Sequence, residues 1–184
     1  MSRLEHFAKL VIAENDLQNL IARSTIGLIW SRHILDSVQL LALADATEQW
    51  LDIGTGGGFP GLAIAAVSMR PMTLAEPRRR RAEFLMFAAE QLGLPGVKVE
   101  QRKVEQVACN ATTISARAVA PIEKLFASAA HCSTPSTRWL LLRGEEHEAD
   151  VREAASQWNG VFHVKQSMSN PRAAIVLAQA VMPR

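Results

Sequence analysis

The residues best placed to do chemistry lie in one run, Asp52-Ile53-Gly54-Thr55-Gly56-Gly57-Gly58-Phe59-Pro60-Gly61. The apolar segment Trp50–Ile53 reads as a buried strand with an acid near its end. Residues 59–69, with Leu62, Ile64, Ala65, Ala66 and Val67, read as a helix packed on a sheet. Strand, glycine turn and helix make the corner of a doubly wound fold that receives a phosphate or a nucleoside. Glycines suit that turn because a Cβ would hold the backbone amides away from a ligand. Gly54 and Gly56 match the start of a dinucleotide fingerprint, but Phe59 stands where its third glycine belongs. No Lys-Ser or Lys-Thr follows, so the P-loop pattern fails as well. What remains is Asp-x-Gly-x-Gly-x-Gly at Asp52, Gly54, Gly56 and Gly58. A nicotinamide site and a purely structural turn stay open at this point.

Five further sites can do chemistry. Glu76 ends the next apolar run about 20 residues beyond Gly54, where a carboxylate can accept both ribose hydroxyls; the alternative is a surface acid at a strand end. Val104-Glu105 follows a third strand, where a backbone amide can meet an adenine ring nitrogen and Glu105 its exocyclic amine. Arg117 closes a fourth strand in Ser115-Ala116-Arg117-Ala118-Val119-Ala120-Pro121, and a buried arginine there needs an anionic partner, ligand or structural acid. Trp30-Ser31-Arg32-His33-Ile34-Leu35-Asp36-Ser37 places Arg32 with Asp36 and His33 with Ser37 at i,i+4, an ion pair and a hydrogen-bonded pair by physics alone. Arg78-Arg79-Arg80-Arg81 opens a helix against its own dipole, which RNA phosphates or solvent can offset.

The elements that must position these groups are read from periodicity. Helices are predicted over residues 3–14 and 25–43, the second with Ser24 or Thr25 as its cap, as a layer folded onto the rest of the chain. A link over 45–49 leads into alternating strands (50–53, 72–75, 97–100, 112–115, 139–144) and helices (59–69, 77–92, 121–130, 145–158). A short helix or loop covers 104–108. Residues 161–164 and 173–181, around Ser169-Asn170-Pro171, read as an antiparallel hairpin. The prediction is an α/β fold, Rossmann-like, its sheet mainly parallel, in one domain with a helical layer over 1–47 and a core over 48–184.

Composition excludes several classes. The 184 residues carry 20 basic and 18 acidic side chains, so any nucleic-acid surface must be local rather than global. Cys109 and Cys132 lack metal or disulfide spacing and read as reduced cytosolic thiols. No metal constellation is present, and no apolar run approaches the roughly 18 residues of a membrane span. With no signal-peptide pattern, a cytoplasmic protein and no membrane partner are expected. No Asn-Pro-Pro-aromatic motif follows the fourth strand, against methylation of an exocyclic adenine amine; Asn170-Pro171-Arg172 lies in the terminal hairpin instead. Neither cysteine has a neighbouring proline, against a covalent pyrimidine adduct.

The acid-led glycine turn resembles the first motif of class I S-adenosylmethionine-dependent methyltransferases. Taken in order, Asn19-Leu20, Arg32-His33-Ile34-Leu35-Asp36-Ser37, Leu51 to Gly61 and Ser115 to Pro121 closely resemble the ribosomal RNA small subunit methyltransferase G family, also called glucose-inhibited division protein B. The resemblance runs from about residue 15 to 144; Glu76 stands where the family often has Asp, and the arginine run is richer than the family's usual one. It implies methyl transfer from S-adenosylmethionine to N7 of guanine 527 in bacterial 16S rRNA, with the small ribosomal subunit as partner. By it Gly54, Phe59, Val104, Glu105 and Arg117 fall on cofactor-binding positions, joined by Asp52, Gly56, Gly58 and Glu76 from the turn and strand end. Arg117, Arg32 and His33 are expected to orient cofactor or RNA as catalytic residues, in a monomer without metal. A small-molecule methyltransferase, a nucleoside-binding protein without turnover and a nicotinamide enzyme are the rivals.

Overall fold

The computed structural model describes residues 1–45 and 49–184, so the boundary expected at 47/48 and most of the 45–49 link lie outside the described residues. A seven-stranded sheet runs β3-β2-β1-β4-β5-β7-β6. The strands are β1 (Trp50–Ile53), β2 (Met72–Ala75), β3 (Val97–Glu100), β4 (Thr113–Arg117), β5 (Arg138–Arg143), β6 (Trp158–Gln166) and β7 (Ala174–Pro183). β1 to β5 pair in parallel, and β7 lies antiparallel between β5 and β6. The expected parallel sheet with an antiparallel C-terminal hairpin is therefore present. Among the described residues no helix is long and apolar enough to cross a membrane.

β1 is buried at all four positions, as a central strand covered on both faces must be. Its Asp52 lies 0% exposed and holds three elements together. Ser115 of β4 donates to Asp52 Oδ1 at 2.6 Å, and the Gly61 amide at the start of α3 (Gly61–Ser68) donates to Oδ2 at 3.0 Å. Ser115 in turn accepts from Trp50 Nε1 at 2.9 Å. α3 is apolar nearly all round because both of its sides are covered. The sheet lies beneath it, and α1 (Arg3–Asn15) packs on its outer side with Phe7 and Val11 buried. A capping box between Ser2 and Glu5 starts α1.

The second helical stretch differs from the single helix its spacing predicts. It is a 3-10 turn over Arg23–Leu28, a π-helical turn over Trp30–Leu35, α2 (Asp36–Val38) and a 3-10 turn over Gln39–Ala42. Of the apolar positions Ile26, Ile29, Trp30, Ile34, Leu35, Val38 and Leu41 that suggest one helix, Ile29 and Ile34 are buried, whereas Trp30 and Leu35 are exposed, because the hydrogen-bond pattern is not that of a regular α-helix. Side chains claim the carbonyls here: Ser37 Oγ donates to His33 O at 2.6 Å and Arg117 Nη1 to Arg32 O at 3.2 Å. Neither Ser24 nor Thr25 caps the stretch.

α4 (Arg79–Gln91), α5 (Ile122–Ala129) and α6 (His147–Gln157) complete the layers. Trp158 leaves α6 for β6 and packs edge-on against Phe126, ring centroids 5.6 Å apart. The hairpin is longer than expected because β6 continues through Asn159-Gly160, where a register irregularity absorbs these poor strand formers. Replacing Ser115 by Ala should cost about 2–4 kcal/mol of stability, since it strands both Trp50 Nε1 and an Asp52 oxygen in the core. Denaturant unfolding checks this; a loss below about 0.5 kcal/mol would show that the bonds contribute nothing net.

Candidate active site

A cavity of about 650 Å³ opens at the C-terminal ends of β1 and β4, where the strand order reverses. Its wall takes Gly54, Thr55, Gly56, Gly57 and Phe59 from the turn after β1, and Glu76 and Arg78 from the end of β2. Arg117, Ala118 and Val119 enter from β4, and Arg143 from β5. Thr25, Arg32, His33 and Asp36 face it from the N-terminal layer, and Ser169 and Asn170 from the β6–β7 turn. Seven residues expected from sequence therefore meet: Gly54, Gly56, Phe59, Glu76, Arg117, Arg32 and His33.

Asp52, Gly58, Val104 and Glu105 stand outside that wall. Asp52 serves the turn from below through its bonds to Ser115 and Gly61. Gly58, at φ 96°, faces inward: a Cβ there would sit 2.6 Å from the Phe7 ring. Val104 packs in the core beside β4 and α5, and Glu105 is exposed on the 3-10 turn Val104–Gln106. Gly56 behaves oppositely to Gly58. Its φ is 59°, and an added Cβ would meet nothing closer than 3.6 Å, so this part of the turn leaves space for a ligand. Glu76 is 3% exposed; its carboxylate accepts from Gly56 N and Arg78 N, both at 2.9 Å, fixing the turn to the end of β2.

The two i,i+4 pairs expected in the N-terminal layer are not the pairs formed. Asp36 meets Arg117 Nη1 at 3.7 Å instead of Arg32, because the π-helical turn carries Arg32 outward. Ser37 bonds the His33 carbonyl rather than its ring. Asp36 Oδ1 also accepts from Gln39 Nε2 and from Ser167 and Ser169, so one carboxylate ties the layer to β4 and to the β6–β7 turn. The Arg117 guanidinium lies 5.1 Å over the Phe59 ring, and His33 stands against the same ring at 5.1 Å. Burial lowers the pKa of Arg117 against the pull of Asp36 and Asp52.

His33 is neutral. Thr25 Oγ1 gives its one proton to Ala22 O at 2.8 Å, so the imidazole Nε2, 2.8 Å from that oxygen, must donate. Nδ1 is then a bare acceptor, buried without a partner among the described residues. Burial, then the charges of Arg117 and Arg32, lower its pKa from 6.5 to about 4. The arginine run is largely spent within the protein. Arg79 pairs with Glu83, while Arg80 and Arg81 donate to Leu17 O and Asn19 O and so fasten the loop after α1. Asn15 Oδ1 secures the same loop by accepting from Leu20 N and Ile21 N. Sequence reasoning missed Asn15, Arg143, Ser169 and the role of Asp36, for which only the order of the motifs offered a signal.

The sheet order, with β7 antiparallel between β5 and β6, a glycine turn after β1 and an acid ending β2, is the fold of class I S-adenosylmethionine-dependent methyltransferases. Solved structures share that fold. The T. thermophilus 16S rRNA N2 G1207 methyltransferase in complex with AdoMet and guanosine superposes with TM-score 0.57 at 14% identity, over 81% of this chain and 39% of that one. Magnesium protoporphyrin IX methyltransferase from Synechocystis with bound SAM gives 0.60 at 16%, over 85% and 82%. The chain belongs to the rRNA small subunit methyltransferase G family, GidB, whose model matches residues 1–174. The Novosphingobium aromaticivorans ribosomal RNA small subunit methyltransferase G is 47% identical over 97% of this chain and 80% of its own. That of Rhizorhabdus wittichii is 40% identical over 100% and 87%. The resemblance carried by Arg32 to Ser37, the glycine turn and Arg117 thus holds, and the protein is an S-adenosylmethionine-dependent rRNA methyltransferase.

The neutral His33 fixes a pH dependence. Below pH 6.5 the unfolded chain binds a proton that the folded one refuses down to about 4, so His33 erodes stability as pH falls through that window. In His33→Gln this slope should vanish. The stability of wild type relative to the variant should rise by about 1.4 kcal/mol per pH unit between those limits and stay level above them. Denaturant titrations across the range check it; a difference independent of pH would mean that His33 protonates freely.

Proposed function

We propose that the cavity receives S-adenosylmethionine together with one guanine of small-subunit RNA, guanine 527 of 16S rRNA, and methylates it at N7. The supporting observation is that, among the described residues, the wall offers shape and charge but no poised general base. Glu76 is engaged by two amides, Asp36 by Arg117 and two hydroxyls, and His33 holds too low a pKa to take protons near neutrality. Guanine N7 carries an in-plane lone pair and no proton, so its methylation needs no base. An exocyclic amine or a ribose hydroxyl would have to lose one.

When bound, S-adenosylmethionine supplies an electrophilic methyl on a sulfonium. The residues present fit such a ligand: the turn after β1 is open where Gly56 faces the cavity, and a carboxylate stands at the end of β2. The Gly54 and Gly56 backbone and Phe59 would hold it, with Glu76 accepting from ribose. The Val104 backbone amide and the exposed Glu105, beyond β3, would meet the adenine end, with the Val104 side chain kept in the core. Asp52 and Gly58 hold the turn in shape from beneath. Arg117, fixed over Phe59 and against Asp36, orients the reacting groups, and their alignment provides the acceleration.

Labelled donor and purified small subunits lacking the modification test the reading. Label should enter the RNA at one guanine, mapped at N7 by borohydride and aniline cleavage, with a single-turnover rate level from about pH 6 to 9. Label elsewhere, or a rate lost below pH 7, would overturn it. Gly56→Ala tests the donor site. The left-handed φ costs alanine about 1 kcal/mol, so the fold should persist while donor affinity falls by more than about tenfold. Unchanged affinity by calorimetry would remove the glycine turn from the donor site.

A further inference from the structure

Five arginines stand in the cavity wall, and they divide sharply by what they touch. Arg81 donates to Asn19 O, Arg117 faces Asp36, and Arg143 holds Asp150 and Ala120 O. Arg32 and Arg78 do not share this. Both are exposed, and among the described residues neither guanidinium meets a carboxylate or a carbonyl. Nor is a wall carboxylate left over for them, since Asp36 and Glu76 are already engaged by Arg117, hydroxyls and backbone amides. The rim therefore carries two unpartnered cations on two different elements. Arg78 also precedes α4, whose first residues are Arg79, Arg80 and Arg81, so cationic side chains crowd the positive end of a helix dipole. An anion at that point would relieve both the side-chain charge and the dipole.

We infer that Arg32 and Arg78 are the backbone contacts of the RNA substrate, each taking one phosphate beside the nucleotide whose base enters the cavity. The inference rests on the proposed guanine methylation and extends it to the RNA-docking residues. Chemistry favours this occupant. A purine inside the cavity is tethered by a phosphate on either side, and a planar guanidinium is the side chain best matched to phosphate oxygens. A contact of this kind fixes register without reading sequence. The overall charge balance of 20 basic against 18 acidic residues leaves little general attraction for RNA, so two local cations at the mouth matter more. Arg32 owes its outward position to the π-helical turn Trp30–Leu35, whose neighbouring carbonyl Arg117 secures.

Binding of unmethylated small subunits is to be measured against salt for wild type, Arg32→Gln, Arg78→Gln and Arg79→Gln. Arg32→Gln and Arg78→Gln should each lower the magnitude of the logarithmic salt slope by about 0.7–0.9, one phosphate apiece. Raising salt from about 50 to about 200 mM should then cost either variant about threefold less affinity than wild type loses. The double variant should lose twice the slope. Arg79→Gln, whose partner is Glu83 and which stands outside the wall, should keep the wild-type slope. A denaturant unfolding midpoint equal to that of wild type shows each variant folded. Wild-type slopes in Arg32→Gln or Arg78→Gln, or an equal loss in Arg79→Gln, would overturn the inference. Failure of wild type to methylate N7 would defeat the functional reading instead, and the salt slopes would still report on the two arginines.

Discussion

The structure depends on a carboxylate that never sees solvent. Asp52 lies at the end of the central strand, and burial pushes its pKa up to about 6 against the donors Ser115, Thr55 and Gly61. A buried charge is tolerable only where its lone pairs are met, and here each oxygen has its own donor. Those donors come from different elements, one from β4 and one from the first turn of α3. The carboxylate thereby fixes the separation of β1 and β4, and it fixes where α3 begins. That separation is the reversal point of the sheet, the one place where the loops after two neighbouring strands diverge and leave a crevice.

The glycine turn translates this constraint in two directions. Gly57, Gly58 and Gly61 are small because something presses on them: Leu20, the Phe7 ring, and Asp52 with Leu74. A side chain at any of these would push the N-terminal layer or α3 off the turn. Gly56 has open space and a left-handed φ, so its lack of a side chain serves the cavity. A single run thus serves packing below and binding above. The N-terminal layer is consequently part of the site, since its Phe7 and Leu20 seat the turn while its His33 and Asp36 line the cavity.

This duality explains what was legible in the sequence. Strand–turn–helix alternation, Glu76 and Arg117 could be read because each belongs to a local pattern with a fixed place in the fold. The turn glycines could be found but not sorted, since φ and neighbours decide whether a glycine faces core or ligand. Asp52 looked like a ligand residue because its chain position is that of one; only the Ser115 hydroxyl, brought across from β4, shows that it is a fastening. Helical spacing suggested Arg32 with Asp36, yet Asp36 meets Arg117, a partner far along the chain. The π-helical turn responsible shifts the buried stripe, so that Ile29 and Ile34, five apart, face inward while Trp30 and Leu35 are exposed, which a reading in steps of three and four does not anticipate. The β6–β7 turn was legible as a turn, but its approach to the cavity depends on the register of two antiparallel strands.

What the wall lacks is as informative as what it holds. A cation fixed over Phe59 beside a histidine that refuses a proton is a poor arrangement for acid–base work and a good one for holding a planar ring in register. Arg117 is only partly exposed, and it stands 3.7 Å from the Asp36 carboxylate that also accepts from Ser169 of the β6–β7 turn. Positive charge inside a methyl-transfer site would oppose a cationic donor if it were free. Here Arg117 faces one carboxylate and feels a second, Asp52, so its field is largely returned to the protein. Among the described residues the cations with no carboxylate or carbonyl partner, Arg32 and Arg78, stand instead at the exposed edge of the cavity.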